Sequence, residues 1–237
     1  HLHFTATEEY KNRVIQLGEQ PNKVFNVGGL GIDNINKLKL LSKADFENAI
    51  DFTFGKKNIL VTFHPVTLEN FTAKVQFQEL LNSINKLENT KIIFTKANSD
   101  TNGRIINSMI DDYVAINDNS IAFTSMGALN YLSALQFVDV VVGNSSSGLL
   151  EAPSFNIATI DIGDRQKGRI KADSVISCSP TQESIRSAFD KSYSEDFQNI
   201  VDNTKNPYGN GGASKIVVDI IKDFDLNGIL KKIFYDL

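Results

Sequence analysis

Short apolar runs alternate with helical stretches along almost the whole chain, and this alternation constrains the fold most strongly. The apolar runs predict β-strands over residues 3–6, 24–27, 59–63, 91–95, 120–123, 138–142, 158–162 and 174–176. Several are rich in Val and Ile without polar alternation, which is typical of parallel strands covered on both faces. The stretches between them predict helices over residues 8–17, 43–52, 68–87, 103–111, 128–135, 148–155, 182–193, 213–223 and 226–234. This order predicts an α/β fold with a doubly wound, open parallel sheet and right-handed crossovers.

A glycine-rich segment interrupts the alternation. Residues 27–33 read Val-Gly-Gly-Leu-Gly-Ile-Asp, and three glycines in four residues are typical of a turn or hinge. We therefore expect a domain boundary there, with residues 1–33 forming a β-α-β remnant and the hinge. Residues 34–205 would form a complete sheet domain, and residues 206–237 would form helices that pack back toward the first part. The chain begins without Met and enters a strand at once, so we expect a fragment or a processed chain.

Composition argues against several classes of protein. The formal net charge of -4 argues against a nucleic-acid-binding protein that depends on bulk positive charge. Cys178 is the only cysteine, so an intramolecular disulfide is impossible. No apolar run approaches the roughly 18 residues of a membrane helix, and no signal-peptide pattern opens the sequence. We expect a cytoplasmic protein with no membrane or nucleic-acid partner and no cofactor, and the spacing of its three histidines predicts no metal site.

A serine-rich turn gives the strongest local indication of chemistry. Residues 143–151 read Gly-Asn-Ser-Ser-Ser-Gly-Leu-Leu-Glu and follow the predicted strand 138–142. Backbone N–H groups and the hydroxyls of Ser145 and Ser146, at the start of a helix, suit a phosphate group. Glu151, one turn further on, is placed to accept hydrogen bonds from two sugar hydroxyls. A plain helix N-cap followed by a solvent-facing Glu has the same spacing and stays open as an alternative.

Two further strand ends carry side chains that suit a ligand. Residues 163–169 read Gly-Asp-Arg-Gln-Lys-Gly-Arg, and three cations around two glycines suit a polyanion. A solvated basic loop has the same composition. Residues 64–67 read His-Pro-Val-Thr after the strand 59–63, where an imidazole can bind phosphate or transfer a proton. A purely structural histidine is the alternative there.

A fourth strand end carries Asn98 and Asp100, which follow the strand 91–95. Ordinary turn chemistry would also place these residue types there. Ligands of open α/β sheets bind outside the carboxyl ends of the strands. Because four strand ends place ligand-capable side chains along that one edge, the sequence predicts a binding cleft there.

Together these motifs resemble the hydrolysing UDP-N-acetylglucosamine 2-epimerases of sialic acid biosynthesis. The resemblance rests on residues 143–151, 163–169 and 64–67, with support from residues 4–8 and the hinge at 26–31. It covers essentially the whole chain. Non-hydrolysing relatives carry a different acidic-and-glycine turn in place of the serine-rich turn, and a Thr-Glu-Arg-Pro-like segment in place of Arg-Gln-Lys.

The resemblance implies a GT-B architecture, in which two Rossmann-like domains hold the substrate between them. It also implies that the C-terminal domain holds most of the UDP, and that only the tail of the first domain, about residues 1–27, is present here. Carried over onto this sequence, the implied UDP-binding residues are His64, Asn98, Ser125, Ser145, Ser146, Gly148, Glu151 and Arg165.

The resemblance also implies separate roles for these residues. Ser145 and Ser146 would bind the diphosphate, and Glu151 would bind the ribose. His64 and Arg165 would lie beside the phosphates and act in catalysis by stabilising the departing diphosphate. The resemblance further places Asn98 near the nucleotide, and the backbone of Ser125 against the uracil.

The implied reaction has two stages. UDP leaves by anti elimination across C1–C2 to give 2-acetamidoglucal, and water then adds to yield N-acetylmannosamine. In the family, the acidic residues that act as base and acid lie in the N-terminal domain. We therefore expect this chain to bind UDP or UDP-N-acetylglucosamine without turning it over alone. Incomplete coverage of its apolar surface also favours a homo-oligomer or dependence on a missing partner segment.

Other functions remain open from the sequence. A UDP-diacetamido-sugar epimerase of legionaminic acid synthesis would share the UDP contacts, because the residues that recognise the sugar lie partly in the other domain. A GT-B glycosyltransferase would use the same site to transfer the sugar to an acceptor. A non-catalytic nucleotide-sensing module would bind the nucleotide while its full-length parent shows no turnover.

Overall fold

The chain forms two compact units, each with its own β-sheet. The computed structural model describes residues 1–66, 72–98 and 102–236. One unit consists of residues 1–39 together with residues 206–237, and the other consists of residues 40–205.

The regular elements of the described residues alternate between strand and helix in most of the chain. The strands are β1 (His3–Thr5), β2 (Val24–Asn26), β3 (Lys57–Thr62), β4 (Thr90–Thr95), β5 (Ser120–Phe123), β6 (Val140–Gly143), β7 (Ala158–Ile162) and β8 (Val175–Cys178). The helices are α1 (Glu8–Gln16), α2 (Ile32–Lys37), α3 (Lys43–Ile50), α4 (Ala73–Ile84), α5 (Gly103–Ile116), α6 (Gly127–Ala134), α7 (Ser147–Leu150), α8 (Gln182–Ser192), α9 (Glu195–Asp202) and α10 (Ala213–Asp223). Within the described residues, no helix has the length and apolar character needed to cross a membrane.

The larger unit contains a six-stranded sheet in the order β5-β4-β3-β6-β7-β8. Every neighbouring pair is parallel, which confirms the predicted doubly wound α/β sheet. The first and fourth strands of the unit, β3 and β6, lie side by side, with Thr62 opposite Gly143. The chain continues from these two strands toward opposite edges of the sheet. The carboxyl ends of β3 and β6 therefore border the topological switch point, which is the position of the crevice in which open α/β sheets bind ligands.

Both faces of this sheet are buried. Side chains alternate between faces along a strand, so Ile59 and Val61 lie on one face and Leu60 on the other, and all three are at most 1% exposed. Ile59 and Val61 belong to a core cluster with Phe77 of α4 and Phe189 of α8. Burial on both faces explains why the strand sequences are continuously apolar.

The smaller unit is built on two parallel strands. β1 pairs with β2 in the register His3 to Val24 through Thr5 to Asn26. The connecting helix α1 starts at a cap in which the Thr7 side chain accepts the backbone N–H of Tyr10 at 3.2 Å.

A buried carboxylate links the two chain segments of the smaller unit. Asp33 is 4% exposed, and its oxygens accept the backbone N–H groups of Gly212, Ala213 and Ser214 at 2.7 to 3.0 Å. These N–H groups lie at the start of α10, where no carbonyl of the preceding helical turn is present to accept them. The Ser214 hydroxyl also donates to Asp33. This hydroxyl, followed by the backbone N–H donors, lowers the pKa of Asp33 from 3.8 to about 2.

Two of the predicted helices were wrong. The predicted helix over residues 226–234 does not form; residues 227–230 make a turn and the chain is irregular after it. Asp225 accepts the backbone N–H of Asn227 at 2.9 Å, and Gly228 has a φ of 70°. Both features favour a turn over continued helix. The predicted helix over residues 148–155 is only the single turn of α7, followed by a 3₁₀ turn at Ala152–Phe155. Pro153 has no N–H to continue the helical pattern.

Two helices were missed, and one was predicted too long. α2 and α9 were not expected from the sequence. α9 begins after Ser194, whose side chain accepts the backbone N–H of Phe197 at 3.4 Å. The predicted helix over residues 68–87 is observed as α4, and residues 68–71 lie outside the described residues.

We predict that Asp33→Asn destabilises the smaller unit and alters its response to acid. Because the folded-state pKa of Asp33 is about 2 against an ordinary 3.8, its stabilising contribution is complete above about pH 4 and is lost as the pH falls toward 2. Urea unfolding followed by far-UV circular dichroism should show a lower midpoint for the variant at neutral pH, and a smaller further loss below pH 4. Asp223→Asn, which removes the same charge from an exposed position at the other end of α10, is the control. Equal midpoints for Asp33→Asn and the wild type would contradict the role assigned to Asp33.

Candidate functional site

Asn144 ties the loop after β6 to the loop after β3. Its Oδ1 accepts the backbone N–H of His64 at 2.7 Å, and its Nδ2 donates to the backbone carbonyl of His64 at 2.8 Å. Asn144 is 1% exposed, so both bonds are shielded from water. Gly143 permits the close approach, because a Cβ there would lie 1.9 Å from the carbonyl oxygen of Thr62. Its φ of 136° also favours glycine. These contacts hold together the two loops that border the crevice between β3 and β6.

His64 connects this point to the end of β4. The side chain is 7% exposed, and its Nδ1 accepts the backbone N–H of Asn98 at 3.4 Å. In a neutral imidazole one nitrogen accepts and the other carries the proton. In that neutral form, this contact leaves the proton on Nε2, where it can be donated in a hydrogen bond. Asn98 itself is exposed at the edge of the sheet.

Arg165 approaches the same turn from the loop after β7. Its Nη1 donates to the backbone carbonyl of Asn144 at 3.0 Å, and Nε2 of the neighbouring Gln166 donates to the same oxygen at 2.8 Å. Gln166 is 2% exposed and anchors the loop, whereas Arg165 is half-buried. The structure therefore brings a fixed cation to the serine-rich turn, so this loop is more than a solvated basic segment.

The serine-rich turn is held by its own side chains and by β7. Ser145 Oγ accepts the backbone N–H of Ser147 at 3.4 Å, and Ser146 is the N-cap residue of α7. Gly148 packs against Thr159, since a Cβ on Gly148 would lie 2.7 Å from Thr159 Cγ2. Thr159 Oγ1 also donates to the Gly148 carbonyl at 2.9 Å. Gly148 thus has a packing role, and its predicted contact with UDP stays a prediction.

Glu151 is half-buried, contrary to the alternative of a solvent-facing carboxylate. Its Oε2 is buried and has no hydrogen-bond partner among the described residues. Burial raises the pKa of Glu151, and a hydrogen bond with the Ser147 side chain opposes the rise. Ser147 is in turn hydrogen-bonded to the hydroxyl of Tyr131 on α6. Burial raises the pKa of Tyr131 to about 12, so this hydroxyl stays protonated.

One sequence candidate stands apart from this cluster, and two lie outside the described residues. Ser125 is exposed after the edge strand β5, where its Oγ accepts the backbone N–H of Gly127 at 3.3 Å. In the part of the chain that the structure describes, no hydrogen bond joins Ser125 to the other candidates. Asp100, and Thr67 of the His-Pro-Val-Thr segment, lie outside the described residues.

Sequence reasoning missed three residues that organise the site. Asn144 and Gln166 lay inside the quoted motifs, but nothing in the sequence revealed that their amides face the backbone of a neighbouring loop. Tyr131 occurs in an apolar stretch that predicts an ordinary buried helix. No sequence signal indicated its contact with Ser147.

The comparison with protein families gives a match over most of the chain. The sequence profile described as UDP-N-acetylglucosamine 2-epimerase matches residues 1–222. The GDP/UDP-N,N'-diacetylbacillosamine 2-epimerase (hydrolyzing) of Campylobacter jejuni is 39% identical over 239 residues, covering 100% of this chain and 62% of that protein. The polysialic acid biosynthesis protein P7 of Escherichia coli is 41% identical over 227 residues, covering 94% of this chain and 57% of that protein. The chain therefore spans about three-fifths of the length of these relatives.

The comparison with solved structures supports the same fold. The S. aureus MnaA–UDP structure matches with a TM-score of 0.77 at 19% identity, over 100% of this chain and 62% of that one. This similarity confirms the predicted GT-B type α/β fold class. The profile match over residues 1–222 leads to one conclusion about identity: the chain belongs to the UDP-N-acetylglucosamine 2-epimerase family.

Proposed function

We propose that this chain supplies the UDP-binding part of a hydrolysing UDP-sugar 2-epimerase. The observation that carries the proposal is the convergence of His64, Asn144 and Arg165 at the crevice between β3 and β6. Three separate loops meet there through hydrogen bonds to one buried asparagine. Membership of the family supports nucleotide-sugar chemistry at this point of the sheet.

The diphosphate would bind between the serine-rich turn and the side chains of Arg165 and His64. Ser145 and Ser146 offer hydroxyls and backbone N–H groups at the carboxyl end of β6. Arg165 supplies a permanent positive charge, and guanidinium groups form strong charge-assisted hydrogen bonds with phosphate oxygens. His64 adds the Nε2 donor that its contact with Asn98 assigns.

The nucleoside would extend from this turn along the carboxyl edge of the sheet. Glu151, with its buried and unpartnered Oε2 among the described residues, suits the two hydroxyls of a ribose. Asn98 after β4 is a candidate contact for the nucleotide, and the backbone at Ser125 after β5 for the uracil. Gly148 would contribute through its backbone.

These residues would assist elimination by stabilising the leaving group. Negative charge accumulates on the diphosphate as the C1–O bond breaks, and fixed donors such as Arg165 and His64 lower the free energy of that transition state. Removal of the C2 proton needs a base. We propose that this base comes from a part of the enzyme outside this chain, so that the chain alone binds UDP without turnover.

Two substrates fit the proposal. UDP-N-acetylglucosamine, giving N-acetylmannosamine for sialic acid synthesis, agrees with the resemblance of the motifs and with the name of the Escherichia coli relative. A UDP-diacetamido sugar agrees at least as well with the name of the Campylobacter jejuni relative. Turnover of both UDP-sugars by the full-length enzyme, measured as release of UDP and of the free sugar, would decide between them.

We predict that the chain binds UDP and that the affinity depends on the crevice. Calorimetric titration should give saturable binding to the wild type. Binding should be lost in the Ser145→Ala/Ser146→Ala double variant, and about 10- to 100-fold weaker in Arg165→Ala, because each charge-assisted hydrogen bond contributes about 1.5–3 kcal/mol. Arg169→Ala removes the same charge from an exposed position of the same loop and should change the affinity little.

The activity assay on the same samples completes this test. We expect no free N-acetylmannosamine from the isolated chain. No UDP binding by a folded wild-type sample, or equal losses in Arg165→Ala and Arg169→Ala, would contradict the proposed site.

We also predict that the contribution of Glu151 to UDP binding depends on pH. An ionised carboxylate accepts hydrogen bonds from the ribose diol, and burial raises the pKa of Glu151 above its ordinary 4.5. Its contribution is therefore present above the raised pKa and is lost as the pH falls through it. The difference in affinity between wild type and Glu151→Gln should be about tenfold near pH 8 and should shrink as the pH falls through the raised pKa of Glu151. Protonation of the UDP phosphates affects the wild type and Glu151→Gln equally. A difference in affinity between the two proteins that stays constant with pH would therefore contradict this role of Glu151.

A further inference from the structure

A buried hydroxyl on α6 is connected to the carboxylate that the proposed function assigns to the ribose. Tyr131 lies on α6, and its hydroxyl is hydrogen-bonded to Ser147 Oγ at the start of α7. Ser147 and Glu151 are four residues apart, the spacing at which side chains of a helical turn meet. A hydrogen bond between them stabilises the ionised carboxylate. Tyr131, Ser147 and Glu151 thus form one connected group, which we call the tyrosine link.

The donors and acceptors of the tyrosine link have a defined direction. An ionised carboxylate can only accept hydrogen bonds, so Ser147 donates its single hydroxyl proton to Glu151. The Ser147 oxygen then accepts the proton of Tyr131. The Tyr131 oxygen is also hydrogen-bonded to the side chain of Thr62, which contacts Thr95 in turn.

One oxygen atom at the end of the tyrosine link is in a position to accept a hydrogen bond from a ligand. Glu151 Oε2 is buried and has no hydrogen-bond partner among the described residues. A buried carboxylate oxygen without a donor costs free energy, which a hydrogen-bond donor from a ligand recovers. The tyrosine link restricts the rotation of the carboxylate, so the direction of Oε2 is set before a ligand arrives.

We propose that Tyr131 is a positioning residue for nucleotide recognition, acting through Ser147 to hold Glu151 so that Oε2 accepts a hydrogen bond from the ribose diol of a nucleoside diphosphate. The inference rests on the proposed function, because it presumes that the nucleotide binds at this crevice. It goes beyond that function by assigning a role to a side chain that need not touch the ligand. Its specific consequence is that Tyr131 affects affinity only for ligands that carry the diol.

The test compares Tyr131→Phe with wild type for two ligands, UDP and 2',3'-dideoxyuridine 5'-diphosphate. The variant removes one oxygen atom and keeps the ring. We expect its affinity for UDP to fall about tenfold, the effect of misplacing one hydrogen bond to a charged group, with no change for the dideoxy ligand. Ser147→Ala breaks the same link from the other side and should show the same selectivity. The Tyr131→Phe/Glu151→Gln double variant should bind UDP no more weakly than Glu151→Gln alone.

Tyr193→Phe is the matched control. The Tyr193 hydroxyl is also buried, has no hydrogen-bond partner among the described residues, and lies on a ring that contacts Lys57 at the start of β3. Its removal should leave the affinity for both ligands unchanged. Far-UV circular dichroism and thermal unfolding establish that each variant is folded.

The outcomes separate this inference from the proposed function. Equal weakening of both ligands by Tyr131→Phe would mean that Tyr131 only stabilises the fold, and unchanged UDP affinity would mean that the tyrosine link does not position Glu151. Either result overturns the inference while UDP binding by the wild type upholds the proposed function. Failure of the folded wild type to bind UDP overturns both.

Discussion

The double hydrogen bond between Asn144 and the backbone of His64 is the interaction on which the site depends. Parallel strands that lead to opposite edges of a sheet leave a crevice, and the loops that border it have no strand pairing to hold them. Here one buried amide supplies both the donor and the acceptor that the backbone of His64 requires. The same residue offers its own carbonyl to Arg165 and Gln166. A single residue, through its side chain and its backbone carbonyl, therefore joins three loops.

The polar residues at this edge of the sheet are unusually well buried. Asn144, His64 and Gln166 are each at most 7% exposed, in a part of the molecule where water would otherwise satisfy their hydrogen bonds. Burying such groups is tolerable only when they are paired, and most are paired with one another. Glu151 Oε2 is an informative exception, because this buried oxygen has no partner among the described residues and lies beside a turn that suits phosphate. Fixed, desolvated donors and acceptors are what discrimination between similar ligands requires.

Most of the larger sheet could be predicted from the sequence, because burial on both faces leaves a strong apolar signal in β3, β6 and β7. The ends of the helices were harder to predict. Pro153 and Gly228 disfavour helix in segments where hydrophobic periodicity alone predicts it. The positions of the candidate residues followed from one rule, that carboxyl ends of parallel strands share an edge. The contacts made by Asn144 and Tyr131 could not be predicted, because they join residues whose distance in space depends on the completed sheet. Ser125 also follows the carboxyl end of a parallel strand, but that strand, β5, lies two strands away from β3, and Ser125 is exposed.

The division of the chain into units has a consequence for the order in which it folds. Residues 40–205 are contiguous, and their sheet can close as soon as that segment has left the ribosome. The smaller unit needs residues 1–39 and residues 206–237 together, and the carboxylate of Asp33 finds its partners only 179 to 181 residues later in the sequence. During synthesis, the contacts between Asp33 and the start of α10 can therefore form only after the whole sheet segment, residues 40–205, has been made.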